Sequence, residues 1–326
     1  MNMESANDYC PLVSILIPVF NRQNTIENCI RSALSQNYDN FEVIISDNNS
    51  DDETWIICKQ YKALDSRVRI FRNHTNIGPV NNWKKCAEEA KGKFVKVLFS
   101  DDILLPHCLK DMVKAFDSRV ALVYSAALVG KSLEKSKVRY SNLSNELITR
   151  ADFINRVICG NAPVSPGAIL YRTNEFIDNL HTTFPTVIDR PYALHGAGPD
   201  VLVSFITSLK YDFVAHCNWP LVFFKLHVGS ITIGPQSKYV EQGYMSAISW
   251  FLKKNFGLNT WRRYLALQFL KKILKLKFIT PGILLKENEG TESFYEIFLL
   301  LFTSARLIID KVFKNSIEII IKIKQS

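Results

Sequence analysis

The apolar run Val13–Val19 constrains the fold of this 326-residue chain more than any other feature of its sequence. Its residues, VSILIPV, are almost all apolar and β-branched, which is typical of a strand buried on both faces of a parallel sheet. Apolar residues then recur at helical spacing from Ile26 to Leu34. A second apolar run, Glu42–Ser46, follows at the distance that a β-α-β crossover needs. We therefore expect a doubly wound α/β sheet.

The same alternation of strands and helices continues along the chain. The next element that it predicts is a helix capped by Asp51 or Asp52, with Trp55, Ile56 and Tyr61 turned inward. To residue 102 it then predicts a strand over Val68–Phe71, a helix over Val80–Ala90 ended by Gly92, and a strand over Phe94–Phe99. Beyond that it predicts a helix from Pro106 to Phe116, a loop-rich stretch at 131–150, a helix over Asp200–Leu209, and strands over Ala121–Val129, Ala168–Tyr171, Phe213–His216 and Leu221–Leu226. The second half should therefore form a mixed sheet.

Positive charge is concentrated at the C-terminal end. Residues 251–326 contain 14 Lys and Arg against 6 acids, whereas residues 1–250 contain 26 against 25, so the last segment carries +8 of the net +9. With the helical spacing from Tyr239 onward, this divides the chain into an α/β domain, 1–238, and a basic amphipathic helical region, 239–326. Such helices bind anionic membrane surfaces, and packing on the α/β domain is the alternative use of the same apolar positions. No stretch of about 18 apolar residues is free of charge, so no transmembrane helix is predicted.

The seven cysteines match neither a disulfide framework nor a zinc site. Their number is odd and no C-x-x-C occurs. We therefore expect small buried hydrophobes in a reducing compartment. The segment before Pro11 contains Glu4 and Asp8 and no apolar stretch, so no secretory signal is expected and the cytoplasm is the predicted compartment.

Polar residues follow three of the predicted strands at their carboxyl ends, where ligands bind in open α/β sheets. Phe20-Asn21-Arg22 follows the first strand, Asp47-Asn48-Asn49-Ser50 the second, and Ser100-Asp101-Asp102 the fourth. Asn, Asp and Ser also favour turns, so turn formation alone is the alternative interpretation of the second exit.

Asp101 and Asp102 are candidate ligands of a divalent cation. Adjacent carboxylates repel each other, and a magnesium or manganese ion relieves this repulsion while it completes its shell with substrate phosphates. A capped turn before Pro106 is the alternative. The sequence contains neither a P-loop nor a G-x-G-x-x-G after a strand, so phosphates would be bound through metal rather than through a glycine-rich loop.

Four segments together resemble the family-2 inverting glycosyltransferases of the GT-A fold. They are Ser14–Arg22, Ser46–Ser50, Asn76–Gly78 and Phe99–Asp102. Their order and spacing match over about residues 12–125, and the resemblance continues more weakly to about residue 232. It implies a GT-A-like sheet with a nucleotide-sugar-binding half at 12–125 and an acceptor half at 126–238.

The resemblance also implies which residues bind the donor. The implied nucleotide-binding residues are Pro18, Val19, Phe20, Asn21, Asp47, Gly78 and Asp101. Asp102, with Asp101, would bind the manganese or magnesium ion on the donor diphosphate. The family usually has a second acid where this chain has Asn48, which leaves the nucleobase open between UDP, dTDP and GDP.

In the second half the resemblance implies a general base at the start of a helix. Asp200, after Gly196-Ala197-Gly198-Pro199, is the candidate, and an ordinary helix N-cap is the alternative. Asp189 is a substitute. His227 lies in a segment similar to the one that closes the family's site, so it is a candidate contact of the diphosphate or metal, and a structural histidine is the alternative.

The implied activity is metal-dependent, inverting transfer of a sugar from a nucleotide sugar to a hydroxyl of a saccharide or lipid-linked saccharide. Such a reaction belongs to bacterial surface polysaccharide (O-antigen) synthesis at the inner face of the cytoplasmic membrane, with the enzyme bound peripherally. No nucleic-acid partner is expected. Two other classes stay open: a non-catalytic sugar-nucleotide-binding or membrane scaffold, which Asn48 and Pro199 favour, and a nucleotidyltransferase, for which Phe20–Gln23 supplies little of the basic, glycine-rich loop required.

Overall fold

Strands and helices alternate through most of the computed structural model, which describes residues 10–142, 144–185, 196–227 and 237–274; in the last of these ranges it describes the side chains of 239–268. In these ranges the strands are β1 (Val13–Val19), β2 (Phe41–Asp47), β3 (Val68–Arg72), β4 (Phe94–Val97), β5 (Ile103–Leu104), β6 (Val120–Gly130), β7 (Ser136–Arg139), β8 (Glu146–Thr149), β9 (Ile169–Arg172) and β10 (Phe213–Lys225). The helices are α1 (Ile26–Leu34), α2 (Thr54–Leu64), α3 (Pro79–Glu88), α4 (Cys108–Lys114), α5 (Arg150–Cys159), α6 (Thr173–Asn179), α7 (Pro199–Leu209) and α8 (Ser237–Leu274), with a short 3-10 turn at Pro166–Ala168.

The described strands form one mixed sheet in the order β3-β2-β1-β4-β9-β6-β10-β5, to which β7 adds beside β6 and β8 beside β10. Strands β3, β2, β1 and β4 are parallel, and β9 is antiparallel to β4 and to β6. The predicted doubly wound α/β sheet with a mixed second half is therefore confirmed. Because β1 to β4 are parallel, their carboxyl ends lie at the same edge of the sheet.

Two hydrophobic cores cover the two faces of the sheet. Ile15 and Ile17 of β1 belong to one core with α1 and α4, whereas Leu16, which points the opposite way, belongs to the other core with α3, α5, α6, α7 and α8. All seven residues of β1 are buried, as the apolar run predicted. Five cysteines are also buried, in agreement with the expectation of small core residues: Cys29, Cys58, Cys86, Cys108 and Cys217.

Two local predictions in the first half are wrong. Helix α2 begins at Thr54, whose amide donates to the Asp52 carboxylate at 3.0 Å, in agreement with the expected role of Asp52. Ile56, however, is 45% exposed rather than turned inward. Helix α3 ends at Glu88, so Gly92 is not its terminator. A Cβ on Gly92 would lie 2.6 Å from the amide nitrogen of Ser14, so this glycine allows the close approach of two backbones instead.

The second half contains strands that the sequence pattern does not reveal. β7 and β8 lie inside the stretch predicted to be loop, and most of their residues are not buried, so they lack the apolar signal on which the prediction relied. The two strands predicted over 213–216 and 221–226 are one strand, β10. Its pairing with β6 shifts register around Pro220, which cannot donate a ladder hydrogen bond.

Helix α8 shares the core of the α/β domain. Its residues Met245, Ile248, Phe251 and Leu252 are buried, and the helix kinks at Gly257 before Trp261, Tyr264 and Leu265 rejoin the same core. The division of the chain at residue 238 stays a prediction, and most of the basic region lies outside the described residues. In the ranges that are described, no helix is long and apolar enough to cross a membrane.

Candidate active site

The loops that follow β1 and β2 are tied together by hydrogen bonds. Asn21, at a positive φ of 50°, accepts from the Asp51 amide at 3.1 Å and donates its own amide to the Ser50 hydroxyl at 3.0 Å. The Asn48 amide donates to the Val19 carbonyl at 2.8 Å. The two strand exits predicted to bind a nucleotide therefore form one surface at the sheet edge.

Asp47 is the buried centre of this surface. Its carboxylate accepts from the Ser50 hydroxyl at 2.5 Å and pairs with Arg72 Nε at 3.2 Å, and it is fully excluded from solvent. Arg72 also donates to the Ser50 carbonyl at 2.7 Å. In this arrangement Asp47 fixes the shape of the loop. Its direct contact with a nucleoside stays a prediction.

Asn48 lies in a network of side-chain amides in which Asn48, Asn73 and Asn82 are buried and Asn76 is exposed. Its Nδ2 donates to Asn76 Oδ1 at 2.8 Å, while its Oδ1 accepts from Asn73 Nδ2 and from the Ile77 amide, each at 3.0 Å. Asn73 also donates to Asn82 Oδ1 at 2.9 Å. A carboxylate only accepts hydrogen bonds when ionised, so an amide is the residue type that satisfies both neighbours here.

Gly78 connects this network to α3. It adopts a φ of 81° just before the helix, and its amide donates to Asn76 Oδ1 at 2.9 Å. Such a φ favours glycine over residues with a Cβ. Gly78 is therefore placed at the same sheet edge as Asp47, as the nucleotide-binding prediction requires.

Asp101 and Asp102 lie at the exit of β4, opposite the end of β10. His227 Nε2 is 2.7 Å from Asp101 Oδ2, and the Lys225 amide donates to Asp102 Oδ1 at 3.1 Å. Burial and the neighbouring charge of Asp101 raise the pKa of Asp102 well above its ordinary range, against the opposing effect of the Lys225 amide. The structure thus brings His227 next to Asp101 and Asp102, although it follows Asp102 by 125 residues in the chain.

A buried lysine lies beside this acidic pair. Lys96 of β4 is completely excluded from solvent, and its Nζ donates to the carbonyls of Gly167 and Val97. Burial lowers the pKa of Lys96, and the charge of Asp102 acts in the opposite direction. Sequence reasoning missed this residue because a single lysine within an apolar run carries no signal of its partners.

The acidic pair fits a divalent cation that a substrate helps to bind. No group of three or more His, Cys, Asp or Glu in the described ranges is arranged to hold a metal ion by itself. Magnesium and manganese, however, are commonly bound by one or two carboxylates together with substrate phosphates. The raised pKa of Asp102 indicates that the surrounding protein does not fully stabilise its negative charge. A bound cation would stabilise this charge.

Asp200 lies in the first turn of α7 and is almost completely buried. Its Oδ1 accepts from the amides of Gly198 at 2.9 Å and Val201 at 2.8 Å, and its Oδ2 accepts from the Tyr244 hydroxyl at 2.7 Å. Burial raises the pKa of Asp200 from 3.8 to about 7, although these hydrogen bonds lower it. The carboxylate therefore accepts amides at the start of α7, while burial raises its pKa to near neutrality.

Aromatic side chains connect the Asp200 turn to the acidic pair. A Cβ on Gly196, at a φ of 70°, would lie 2.5 Å from the ring of Trp83, whose centroid is 5.2 Å from that of Phe99. Phe99 directly precedes Ser100 and Asp101. Gly167 packs between the rings of Phe99 and Phe224. We call Trp83, Phe99 and Phe224 the aromatic wall, and it links the two acidic centres.

The other predicted site residues are placed as follows. Pro18 and Val19 are buried in β1, and Phe20 is 38% exposed at its exit. Asp189 and the segment after His227 lie outside the described residues. Four residues that shape the site were not foreseen: Arg72, Trp83, Lys96 and Tyr244. Their partners are distant in sequence, and a pattern that depends on local spacing cannot reveal such pairs.

A model of the family described as Glycosyl transferase family 2 matches residues 14–177, about half of the chain. The chain belongs to this family. The matched range contains β1 to β4, the acidic pair and the Pro166–Ala168 turn, and it ends before Asp200.

Relatives of this family 2 chain include two bacterial glucosyltransferases. A GalNAc(5)-diNAcBac-PP-undecaprenol beta-1,3-glucosyltransferase from Campylobacter jejuni is 33% identical over 39% of this chain and 41% of its own length. The UDP-Glc:alpha-D-GlcNAc-diphosphoundecaprenol beta-1,3-glucosyltransferase WfgD from Escherichia coli is 30% identical over 42% of this chain and 56% of its own length. The similarity thus spans only about half the length of these relatives.

The fold is also similar to that of a solved structure, S. aureus TarS 1-349 in complex with UDP-GlcNAc. The TM-score is 0.57, with 16% sequence identity over 91% of each chain. The predicted GT-A-like architecture is thereby confirmed as a fold.

Proposed function

We propose that this chain transfers a sugar from a nucleotide sugar to a hydroxyl group of a saccharide or lipid-linked saccharide, with inversion and with a divalent cation. Family membership supports the sugar transfer, and the names of the Campylobacter jejuni and Escherichia coli relatives support an undecaprenol-diphosphate-linked acceptor. The fold similarity to a UDP-GlcNAc complex makes UDP the first nucleotide to test.

One observation carries this proposal: the ring contacts of the aromatic wall connect two acidic centres that have different surroundings. Asp101 and Asp102 lie at the exit of a parallel strand, where their mutual repulsion favours a cation. Asp200 is isolated by burial, and its pKa of about 7 is suited to proton removal near neutral pH. Carboxylates whose environments separate their protonation behaviour are the usual basis for dividing catalytic roles.

In the proposed reaction the loops after β1 and β2 bind the nucleoside, and Asp101 and Asp102 face the diphosphate. A divalent cation bound there would supply positive charge that offsets the charge on the departing nucleoside diphosphate. The oxygen of the acceptor hydroxyl attacks the anomeric carbon from the face opposite the departing nucleoside diphosphate, and Asp200 Oδ2 accepts the proton of that hydroxyl. His227, 2.7 Å from Asp101, orients that carboxylate.

The scaffold alternative loses its support because both unusual residues have a structural role in this chain. Asn48 donates and accepts within the amide network, which an ionised aspartate cannot do. Pro199 occupies the first turn of α7, where proline is favoured because its missing N–H would have no partner within the helix. Neither residue therefore requires a loss of catalysis as its explanation.

The test is release of nucleoside diphosphate from a panel of UDP-, dTDP- and GDP-sugars, with manganese or with a chelator, alongside pyrophosphate release from nucleoside triphosphates. We expect manganese-dependent release from one class of nucleotide sugar and no pyrophosphate. Asp102→Asn should abolish this release, whereas Asp111→Asn, which removes an α4 carboxylate bonded to Trp219, should retain it. Pyrophosphate release would favour the nucleotidyltransferase. Equal release by both variants would contradict the metal assignment.

A further inference from the structure

The proposed base receives a hydrogen bond from outside its own helix. Tyr244 lies in the second turn of α8, and its hydroxyl donates to Asp200 Oδ2 at 2.7 Å. The other oxygen, Oδ1, accepts two backbone amides of the α7 N-terminus. The backbone thus fixes Oδ1, and Oδ2 is the oxygen left for chemistry. Tyr244 therefore contacts the oxygen that would take the proton.

Glycines allow α8 to come this close. A Cβ on Gly243 would lie 2.4 Å from the carbonyl oxygen of Ala197, and one on Gly198 would lie 3.3 Å from the carbonyl oxygen of Gly243. The backbones of α8 and of the turn before Asp200 are therefore in direct contact. This contact brings the residue after Gly243 within hydrogen-bonding distance of the carboxylate.

Another buried tyrosine is close enough to Asp200 to experience its charge but bonds to a different residue. Tyr171 of β9 is fully buried, and its hydroxyl pairs with Ser204, one turn further along α7, at 2.7 Å. Burial raises the pKa of Tyr171, and the charge of Asp200 adds to this effect. In the described ranges no salt bridge reaches Asp200. Among the described side chains, the Tyr244 hydroxyl donates directly to Asp200 and stabilises its ionised form.

We propose that Tyr244 is a positioning residue for the reaction: it orients Oδ2 of Asp200 and stabilises the carboxylate so that it is ready to accept the proton at neutral pH. This inference rests on the proposed function, in which Asp200 is the base. It also makes the start of α8 part of the active site, although the charge pattern assigns this segment to a separate C-terminal region.

The test compares Tyr244→Phe with Tyr171→Phe as the matched control, because each variant removes one buried hydroxyl near Asp200. The readout is the pH dependence of kcat. Loss of a hydrogen bond to a carboxylate should move the acidic limb of the Tyr244→Phe profile toward higher pH by about one unit. Turnover should therefore fall about tenfold at pH 6 and return to within about threefold of wild type at pH 9. Tyr171→Phe should keep the wild-type midpoint.

Asp200→Asn separates failure of this inference from failure of the proposed function. If Asp200→Asn loses turnover while the Tyr244→Phe profile keeps its midpoint, Tyr244 only joins two helices and the inference is wrong, but the base assignment stands. If Asp200→Asn turns over like wild type, the base assignment itself fails and the inference fails with it. An equal shift in Tyr171→Phe would also overturn the inference, since it would reflect general loosening of the core.

Discussion

Burial of Asp200 should make the stability of this protein fall as the pH rises toward neutrality. The pKa of Asp200 is about 7 in the folded protein, against the ordinary value of 3.8 that applies to the unfolded chain. Below about pH 4 the carboxyl group is neutral in both states and costs nothing. Between about pH 4 and pH 7 the carboxyl group ionises in the unfolded chain but stays protonated in the folded protein, so the free energy of unfolding falls as the pH rises. Above about pH 7 the group is ionised in both states, and the loss does not grow further. Removing the carboxylate with Asp200→Asn should remove this loss.

The size of the effect follows from the difference of about three pH units between the two pKa values. One unit corresponds to ~1.4 kcal/mol, so the full loss is ~4 kcal/mol. Roughly two thirds of it, ~2.5 kcal/mol, should fall between pH 5 and pH 8. From pH 5 to pH 8, the free energy of unfolding of the wild type should therefore decrease by ~2.5 kcal/mol more than that of Asp200→Asn.

The assay is equilibrium urea unfolding at several pH values, followed by tryptophan fluorescence. Asp152→Asn is the control, because Asp152 also lies in the first turn of a helix but is exposed. Using the difference between wild type and variant removes the contribution of the other titrating groups. A difference for Asp200→Asn that stays constant from pH 5 to pH 8 would refute the argument that burial controls this carboxyl group.

Three further predictions concern other parts of the site. Asn48→Asp should lower the free energy of unfolding by about 1–3 kcal/mol in urea titrations, because it replaces the Nδ2 donor with an oxygen that faces Asn76 Oδ1. Asn49→Asp, at an exposed position, should not lower it, and equal free energies of unfolding for the two variants would contradict the network. Gly196→Ala should cost about 1–3 kcal/mol more than Gly160→Ala, since both have positive φ but only Gly196 faces a ring, Trp83; equal costs would argue against that contact. The 326-residue chain should sediment with anionic liposomes at low salt and less at high salt, and a triple variant, Lys253→Gln, Lys254→Gln and Arg263→Gln, which removes three exposed positive charges of α8, should sediment less; equal sedimentation would contradict a role for these charges.

The predictability of the fold depended on how strongly burial marks each strand. β1 and β2 are buried along their whole length and most of their residues are apolar, so their bounds could be predicted to within one residue. β7 is partly exposed along its whole length and carries two basic residues among its four, so no apolar pattern indicates it. The sequence pattern predicts two strands in place of β10 because Pro220 interrupts it, and a register shift in the pairing with β6 accommodates this proline within one strand.

The predictability of the site followed a different rule. Asp101 and Asp102 could be singled out because they lie at a strand exit, which local sequence marks, whereas Asp200 was implied by the family resemblance. Their surroundings could not, since Tyr244 is 44 residues from Asp200 and His227 is 126 residues from Asp101. These contacts depend on how β10 and α8 pack, which no local pattern records.

Comparison of donor binding with turnover in Asp200→Asn tests the central claim most directly. Donor affinity, measured by calorimetry with the nucleotide sugar and manganese, should stay near the wild-type value because the proposed donor contacts lie at the exits of β1, β2 and β4, whereas Asp200 lies in α7. Turnover should fall by roughly 10²- to 10⁴-fold, as expected for loss of a general base. A fall in affinity as large as the fall in rate, or a rate equal to wild type, would contradict the claim that Asp200 removes the acceptor's proton.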